Sequence, residues 1–468
     1  MAKLLRPLVA APVTAALVAL AAGPALAAPV AGAVGAGDPY FPRQGNGGYQ
    51  VDHYGLDLAY NPVTDRLDAT ATISATATTA LSRFDLDLRR QLAVSAVTVN
   101  GVAAAHTQPA DLEQELVITP AQPLAAGAAF TVVVRYGGVP PVITDPDGSI
   151  EGMVPTEDGV HTVGEPQGSP GWYPCNDTPT DKATYDFRVT VPQGLTAIAN
   201  GDPVGSPTTA AGRTTFRWHN GEPMSTYLST VTIGLFEVST GTTPAGIPYY
   251  IAVDPKVAPQ SKVQLAKLPA MVDFFQSVYG TYPFSSTGAI VDPAKNVGYA
   301  LETQTRPIFD RAPDELTLAH ELAHQWYGDA VTLERWRDIW LNEGFAEFSS
   351  WLWSEHTGQT SAQQFFQRWY AQSGSHDYYW NPPPADPGGP ADIFAWSEYE
   401  RGGMTLQALR VKLGDPTFFR IMRGWYQLHK YGNARVEEFT AYAEQVSGVD
   451  LHHFFDVWLY QPGKPTGW

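Results

Sequence analysis

The sequence predicts a multidomain α+β protein, in which an N-terminal mostly β domain precedes an α-rich domain that contains a small sheet. Through much of the first half of the chain, apolar residues alternate with small or polar ones, which is the period of a strand. In the second half, longer segments with helix-type patterns dominate. With 468 residues, the chain is long enough for two or three domains with cores of their own.

The β domain is predicted to cover residues 48–240. Dipeptides typical of hairpin turns, Asn100-Gly101 and Asn200-Gly201, interrupt the alternating pattern. The sequence contains no internal repeat in this region, so a single mostly β domain is the simplest interpretation. The clearest alternating segments are residues 54–60, 84–88 and 185–191.

The α-rich domain is predicted to cover residues 241–468. A first helix at 262–279 precedes short strands at 288–293 and 298–303. A Pro/Gly-rich run at 381–390 is expected to form a loop between helices. The further predicted helices are 313–328, 343–356, 360–374, 397–413, 416–428 and 434–446.

Composition and charge limit the possible functions. The net charge of −18 argues against nucleic acid and anionic membranes as partners, because both repel an acidic surface. A hydrophobic content of 44% argues against a disordered chain. Cys175 is the only cysteine, so an internal disulfide and a cysteine-based zinc site are both excluded. Any metal must therefore be held by histidine and carboxylate side chains.

The N-terminus has the composition of an export signal over residues 1–27. Two basic residues precede the apolar stretch 8–22, and residues 25–27 form a small-x-small cleavage site. A membrane anchor is the alternative, although the stretch is short for a bilayer span. Residues 28–47 are rich in Gly, Ala and Pro and are expected to form a flexible lead-in. We therefore expect a secreted protein that has no stable membrane association after signal cleavage.

The strongest chemical signal is a His-Glu-x-x-His motif at residues 320–324. Pro313 and the acidic residues after it mark a helix start, which places the motif inside a helix. Residues i and i+4 share one helix face, so His320 and His324 can direct ring nitrogens at one ion about 2 Å away. Glu321 lies beside that face, where it can act as a base on a metal-bound water. The alternative is a pair of ordinary surface histidines, which the apolar setting disfavours.

A catalytic zinc requires a third protein ligand and an open fourth position. Glu343 is the best candidate for that ligand, because it opens a second helix that can pack across the first. Glu347 lies one turn later and is either a group that supports the site or a plain surface glutamate. Asp338 is a weaker candidate for the same supporting role. The pattern predicts one zinc ion per chain.

Five segments match the motifs of one family in the family's order. With them the sequence resembles the aminopeptidase N family of zinc metallopeptidases, the gluzincins, from about residue 48 to the end of the chain. The resemblance implies a thermolysin-like fold for the α-rich domain, a zinc cofactor, peptide substrates and Glu343 as the third ligand. The segments are 173–183, 279–284, 320–329 (His-Glu-Leu-Ala-His-Gln-Trp-Tyr-Gly-Asp), 340–346 (Trp-Leu-Asn-Glu-Gly-Phe-Ala) and 399–402 (Tyr-Glu-Arg-Gly).

The resemblance also implies roles for three further residues. Glu302 matches the glutamate of the family's Gly-Ala-Met-Glu-Asn motif, which binds the free α-amine of the substrate. Glu165 falls where the family has a second amine-binding glutamate, and Tyr399 matches the tyrosine that stabilises the oxyanion. Leu301 and Thr303 depart from the motif's Met and Asn.

Together these features predict a secreted zinc aminopeptidase that hydrolyses the N-terminal peptide bond of peptides through a zinc-bound water activated by Glu321. The resemblance is to a short bacterial type that lacks the C-terminal helical domain of longer relatives, which implies a more open cleft. The alternatives are a zinc endopeptidase that ignores the free amine, an epoxide hydrolase of the kind found in one branch of the family, and a catalytically silent scaffold with the same fold.

Overall fold

The computed structural model describes residues 28–372 and 377–468. The predicted export signal, residues 1–27, lies outside the described residues, and so does the predicted end of one helix at residue 374. The described part consists of a mostly β region followed by a helical region with a small sheet, and the predicted fold class is confirmed. Among the described residues, none of the helices is both long enough and apolar enough to cross a membrane.

Alternating apolar residues form the strands of the β domain, as the period-two pattern predicts. These strands are β1 (Val30–Ala31), β2 (Tyr49–Asn61), β3 (Arg66–Ala77), β4 (Leu81–Asp87), β5 (Ala93–Val99), β6 (Val102–Ala103), β7 (Ala105–Thr107), β8 (Glu115–Thr119), β9 (Ala129–Gly138), β10 (Ile143–Thr144), β11 (Ile150–Pro155), β12 (Val160–Val163), β13 (Ala183–Pro192), β14 (Thr196–Ala199), β15 (Asp202–Pro203), β16 (Thr208–Ala210), β17 (Arg213–Met224) and β18 (Val231–Gly234).

Three sheets build this domain. The largest has the order β15-β17-β13-β2-β3-β9-β5-β6, and β16 pairs with β17 at its side. In it, β2 and β13 run parallel, whereas β2 and β3 are antiparallel. A second sheet has the order β1-β4-β8-β7, and a third has the order β10-β11-β12-β18-β14. The third sheet matters most for the site described below, because β12 and the β10–β11 hairpin reach it.

Residues 28–47 differ from the predicted flexible lead-in. β1 pairs with β4, and the side chain of Asn46 donates a hydrogen bond to Asp87 across 3.0 Å. The Asp38 carboxylate accepts a hydrogen bond of 2.8 Å from the backbone N of Trp336 in the helical domain. The segment is ordered because its polar side chains find buried partners on both domains, and composition alone does not reveal those partners.

The helical domain begins with strands and continues into helices. Its strands are β19 (Glu237–Thr242), β20 (Pro248–Val253), β21 (Thr287–Val291), β22 (Ala300–Leu301), β23 (Ile308–Phe309), β24 (Thr332–Leu333) and β25 (Asn433–Ala434). Its helices are α1 (Ala258–Leu265), α2 (Leu268–Tyr279), α3 (Glu315–Ala323), α4 (Trp340–His356), α5 (Ala362–Ala371), α6 (Gly402–Leu413), α7 (Asp415–His429), α8 (Val436–Ser447) and α9 (His452–Phe455).

Several boundaries differ from the prediction. The small sheet has the order β19-β20-β21-β23-β22, so the predicted domain boundary after residue 240 falls inside β19. The helix predicted at 262–279 is divided into α1 and α2. The helix predicted at 397–413 starts with a π-helical turn at Ser397–Arg401 before α6. The small sheet and the helices α3, α4 and α6 together support the site.

The start of α3 follows the local sequence. The Asp314 side chain caps the helix by accepting a hydrogen bond of 2.9 Å from the backbone N of Thr317. The apolar residues Leu318, Ala319 and Leu322 are fully buried and pack in the core of the helical domain. This core is shared with α2 and α4, which fixes the face of α3 that carries the two motif histidines.

Candidate active site

The two histidines of the motif lie at the C-terminal end of α3. His320 is inside the helix and His324 directly follows it, and their ring centroids are 4.7 Å apart. The chain then turns, so that the carbonyl of Tyr327 accepts a hydrogen bond of 3.0 Å from Nδ1 of His324. Gly328 makes this turn possible, because its φ is 134° and a Cβ there would lie 3.0 Å from Nδ1 of His324. The helix that was predicted to reach residue 328 ends at Ala323.

The first turn of α4 brings Glu343 to both rings. Oε2 of Glu343 lies 3.1 Å from Nε2 of His320 and 3.5 Å from Nε2 of His324. Oε2 of Glu347 accepts a hydrogen bond of 3.3 Å from Nδ1 of His320. Each ring therefore has an Nδ1 that donates to a neighbouring oxygen and an Nε2 that points to Glu343. This is the arrangement in which a histidine presents its Nε2 lone pair to a metal.

The residues present fit a zinc ion. One ligand atom from each of His320, His324 and Glu343 lies within 4.8 Å of the others. Among the described residues, two overlapping groups meet the same distance limit: Glu302 with Glu321 and His324, and Glu302 with Glu165 and Glu343. The His-His-Glu group fits zinc best, because both Nε2 atoms face the Glu343 carboxylate and the donor types are those that catalytic zinc prefers.

The carboxyl groups of Glu321 and Glu343 differ in pKa, although both residues are buried in the site. Burial is the main cause that raises the pKa of Glu321 to about 7. Burial also acts to raise the pKa of Glu343, but when both rings are protonated the charge of His324 and the hydrogen bonds from both histidines outweigh burial and lower it to about 2. Glu343 is therefore the better anionic ligand, and Glu321 is the better group for taking and giving a proton near neutral pH.

The other end of the site is formed by Glu302 and Glu165. Glu302 follows β22 in the helical domain, and Glu165 follows β12 in the β domain. Both side chains are buried, and within residues 28–372 and 377–468 the Oε1 atom of each lacks a hydrogen-bond partner. A carboxylate oxygen in Glu165, Glu302 and Glu343 lies within 4.8 Å of those in the other two. Burial and the charge of Glu302 raise the pKa of Glu165 well above its usual range.

Two buried carboxylates with unpartnered oxygens are costly unless a ligand supplies the missing partner. A positively charged amine is the group that satisfies them best, because it donates hydrogen bonds and neutralises the charge. The pair lies beside the candidate metal ligands, so an amine bound there places the adjoining atoms of its molecule near the metal.

Gln325 is a positioning residue that the sequence analysis did not single out. Its Nε2 donates a hydrogen bond of 3.1 Å to the backbone carbonyl of Glu302, and its Oε1 accepts one of 2.8 Å from the backbone N of Thr305. It thereby connects the end of α3 to the segment that carries Glu302. The available signal was a polar residue directly after His324 in an otherwise apolar helix end.

The two candidate supporting carboxylates have different surroundings. Glu347 contacts His320, as the prediction of a supporting group requires, and its Oε1 also accepts a hydrogen bond of 2.7 Å from Nε1 of Trp351. The carboxylate of Asp338 instead accepts hydrogen bonds of 2.7 and 2.9 Å from Arg335. In the described part of the chain, Asp338 makes no hydrogen bond to either candidate histidine ligand, so Glu347 is the better candidate for the supporting role.

Tyr399 lies in the π-helical turn that leads into α6. Its ring stacks on that of His320 with the centroids 5.9 Å apart. α4 and α6 cross closely here, because Gly344 and Gly402 face each other and a Cβ on Gly402 would lie 2.8 Å from the Cα of Gly344. Burial, and next the charge of Glu343, raise the pKa of Tyr399 well above its usual value, so its hydroxyl stays protonated and can donate.

One cavity of about 240 Å³ brings the predicted site together. All seven residues predicted to bind the metal, bind the amine or take part in catalysis line this cavity. They are Glu165, Glu302, His320, Glu321, His324, Glu343 and Tyr399. A more open cleft of about 550 Å³ adjoins it, and His320, Glu321 and Tyr399 line both spaces. His320 lies at the junction of the two spaces, and Glu165 and Glu302 line only the smaller one.

Comparison with known proteins is consistent with this geometry. Residues 50–228 match the peptidase M1 N-terminal domain, and residues 296–458 match the peptidase family M1 domain. Aminopeptidase M1-C of Oryza sativa subsp. japonica is 28% identical over 323 residues, which cover 63% of this chain and 36% of that protein. The chain thus spans about a third of the length of this curated relative.

Solved structures match over nearly their whole length. A two-domain M1 zinc metallopeptidase mutant bound to L-arginine superposes with a TM-score of 0.85 and is 28% identical. A mutant of the M1 zinc metallopeptidase from Deinococcus radiodurans bound to a Tyr-Ser-Ala substrate has a TM-score of 0.84 at 28% identity. In both comparisons, the match covers 92% of this chain and 99% of the other.

The matches extend over both domains, in the order that the family has. Zinc is the cofactor of the related structures, in agreement with the predicted cofactor. The resemblance noted in the sequence is therefore confirmed, and the chain belongs to peptidase family M1.

Proposed function

We propose that the protein is a secreted zinc aminopeptidase that hydrolyses the first peptide bond of peptides with a free N-terminus. One observation carries the proposal: a His-His-Glu set and two buried carboxylates, each with one oxygen that has no hydrogen-bond partner among the described residues, line the same cavity. The related rice protein is named an aminopeptidase, and the related Deinococcus mutant binds a tripeptide substrate, which supports the same activity here.

His320 and His324, through Nε2, and the Glu343 carboxylate would hold the metal. Bound zinc supplies Lewis acidity, which polarises a carbonyl and makes water a better nucleophile near neutral pH. Glu347 and the Tyr327 carbonyl hold the rings in orientation through their Nδ1 atoms.

Glu321 acts as the general base and then as the general acid. It removes a proton from the attacking water and passes it to the amine that leaves. Burial raises its pKa, and a carboxylate with a raised pKa is a stronger base toward the attacking water. The Tyr399 hydroxyl donates a hydrogen bond to the oxygen that becomes negative in the transition state, a contribution of roughly 3–4 kcal/mol for such a donor.

Glu165 and Glu302 bind the α-ammonium group of the substrate. The fixed position of that group sets which bond reaches Glu321, because only the carbonyl of the first residue is close enough to the amine. This step separates an aminopeptidase from an endopeptidase on the same fold. Despite the departures at Leu301 and Thr303, Glu302 lines the same cavity as the candidate metal ligands.

Secretion forms part of the proposal. It is supported by the basic, apolar and small-x-small pattern of residues 1–27. Expression of the full chain in a host that exports proteins should release a form whose N-terminus, read by peptide sequencing, starts shortly after residue 27. Retention of the intact N-terminus in the membrane fraction would support the anchor alternative instead.

The activity is tested with a pair of chromogenic amides, one with a free α-amine and one N-acetylated. We expect hydrolysis of the free amine and little of its acetylated partner, because only the former satisfies Glu165 and Glu302. Equal rates would indicate a zinc endopeptidase. Loss of activity with a chelator and its return with zinc separates an enzyme from a silent scaffold.

A further inference from the structure

The cavity has one wall that the proposed chemistry does not use. It is formed by Asp147 and Ser149, at the tip of the β10–β11 hairpin, together with the rings of Tyr299 and Phe394. The adjoining cleft is lined by neither amine-binding glutamate, so it is left for the rest of the peptide. With the amine of the first residue at the glutamates and its carbonyl at the metal, the side chain of that residue must occupy the remaining space, next to this wall.

The wall is held in place from both sides. The hairpin tip closes with a hydrogen bond of 2.9 Å from the backbone N of Gly148 to the carbonyl of Asp145. Gln167, two residues after Glu165, donates its side-chain amide to the Asp145 carboxylate. On the other side, the Tyr299 hydroxyl donates a hydrogen bond of 2.9 Å to the carbonyl of Ile150. The tip is thereby fixed relative to the segments that carry both amine-binding glutamates.

The Asp147 carboxylate is oriented but not neutralised. Its Oδ1 accepts hydrogen bonds from Ser149, of 3.0 Å from the backbone N and 2.7 Å from the hydroxyl. None of the ion pairs in the described ranges involves Asp147. In the adjoining cleft, by contrast, Glu315 is paired with Lys267. Asp147 is thus an exposed carboxylate at the side-chain wall, oriented by Ser149, that can still accept an external cation.

We propose that the protein prefers peptides that begin with a basic residue, Arg or Lys, and that Asp147 is the specificity residue that pairs with its positive charge. The proposal rests on the proposed aminopeptidase function. The rings of Tyr299 and Phe394 line the path of the apolar stem, which long basic side chains bury while their charged end stays polar. The oriented carboxylate then accepts hydrogen bonds from the guanidinium or ammonium group.

The test compares the anilides of arginine, citrulline and leucine, each with a free amine. Citrulline has nearly the shape of arginine without its charge. For the full zinc-loaded chain, we expect the ratio of kcat/KM for arginine over citrulline to fall about fivefold in Asp147→Asn, a size typical of a partly exposed ion pair. The leucine anilide should be unaffected, because asparagine keeps the acceptor that Ser149 uses.

Asp450→Asn is the matched control. Asp450 is exposed and accepts a hydrogen bond of 3.1 Å from the backbone N of His452, two residues on, as Asp147 does from Ser149. We expect this variant to keep the arginine-to-citrulline ratio of the parent protein. An unchanged ratio in Asp147→Asn, or an equal fall in Asp450→Asn, would overturn the proposal.

The acetylated arginine anilide keeps this inference separate from the proposed function. If the protein hydrolyses acetylated and free arginine anilides equally, the aminopeptidase assignment fails. If it requires the free amine but shows no arginine preference that depends on Asp147, the aminopeptidase assignment stands and only the specificity proposal fails.

Discussion

The cavity has a metal end, formed by His320, His324 and Glu343, and an amine end, formed by Glu165 and Glu302. The two ends differ in whether their polar atoms already have partners within the protein. At the metal end, His320 and His324 each engage one ring nitrogen with the protein, which leaves the other nitrogen directed at Glu343. At the amine end, Glu165 and Glu302 each have a buried oxygen with no partner among the described residues. In the proposed mechanism, the histidines are oriented before a substrate arrives, whereas the carboxylates at the other end find their partner in the substrate amine.

This difference suggests a division of labour. Pre-oriented ligands give a metal site its affinity and geometry, because the protein has already met the cost of ordering them. Unpartnered buried carboxylates give selectivity, because a molecule without a positive amine leaves them unsatisfied. The largest effects on rate should therefore come from the metal end, whereas the largest effects on substrate choice should come from the amine end.

The largest expected effect is that of Glu321→Gln. The change removes the proton-accepting carboxylate and keeps the size of the side chain, so kcat should fall by roughly 10²- to 10⁴-fold. Zinc content, measured by elemental analysis, should stay at the parent level, because Glu321 is not assigned as a ligand. A variant with normal turnover would remove Glu321 from the role of base.

Glu302→Gln removes one of the two carboxylates at the amine end. A hydrogen bond to a charged group contributes about 1.5–3 kcal/mol, so kcat/KM for a free-amine substrate should fall by roughly 10- to 100-fold. The slow hydrolysis of the acetylated partner should not change, and the preference for a free amine should shrink accordingly. If both substrates lose activity equally, Glu302 contributes to the rate and not to the choice of substrate. Glu165→Gln is expected to act in the same direction.

The two ends also differ in how far the sequence predicts them. His320, Glu321 and His324 follow from the i, i+4 geometry of one helix, and Glu343 lies 19 residues further on in the next long helix. The amine end depends on Glu165 and Glu302, which are far apart in the chain and come from different domains. No local period connects them, so only the family resemblance singled them out. The structure is needed to see that they meet.

The same limit applies to the fold. The alternation in β2 and the helix-type pattern of α4 are local and were predicted correctly in type. The ordered state of residues 28–47 depends on partners such as Asp87 and Trp336. These partners are distant in the sequence, so the local pattern of residues 28–47 does not predict them. Gln325 was missed for a similar reason, since its role rests on contacts with the backbone of Glu302 and Thr305.

The smallest expected effect is that of Glu347→Gln on zinc affinity, and it tests how the ring of His320 is held at the metal end. Glu347→Gln keeps an acceptor for Nδ1 of His320 but removes the charge that supports the ring, so zinc affinity should weaken by about tenfold or less. Competition with a chelator measures this change directly, without reference to activity. Glu355→Gln is the control, because Glu355 lies on the same helix and accepts a hydrogen bond of 2.9 Å from Arg410, away from the cavity. If both variants weaken zinc binding equally, the effect comes from α4 as a whole, and the metal end owes its order to packing and not to the Glu347–His320 contact.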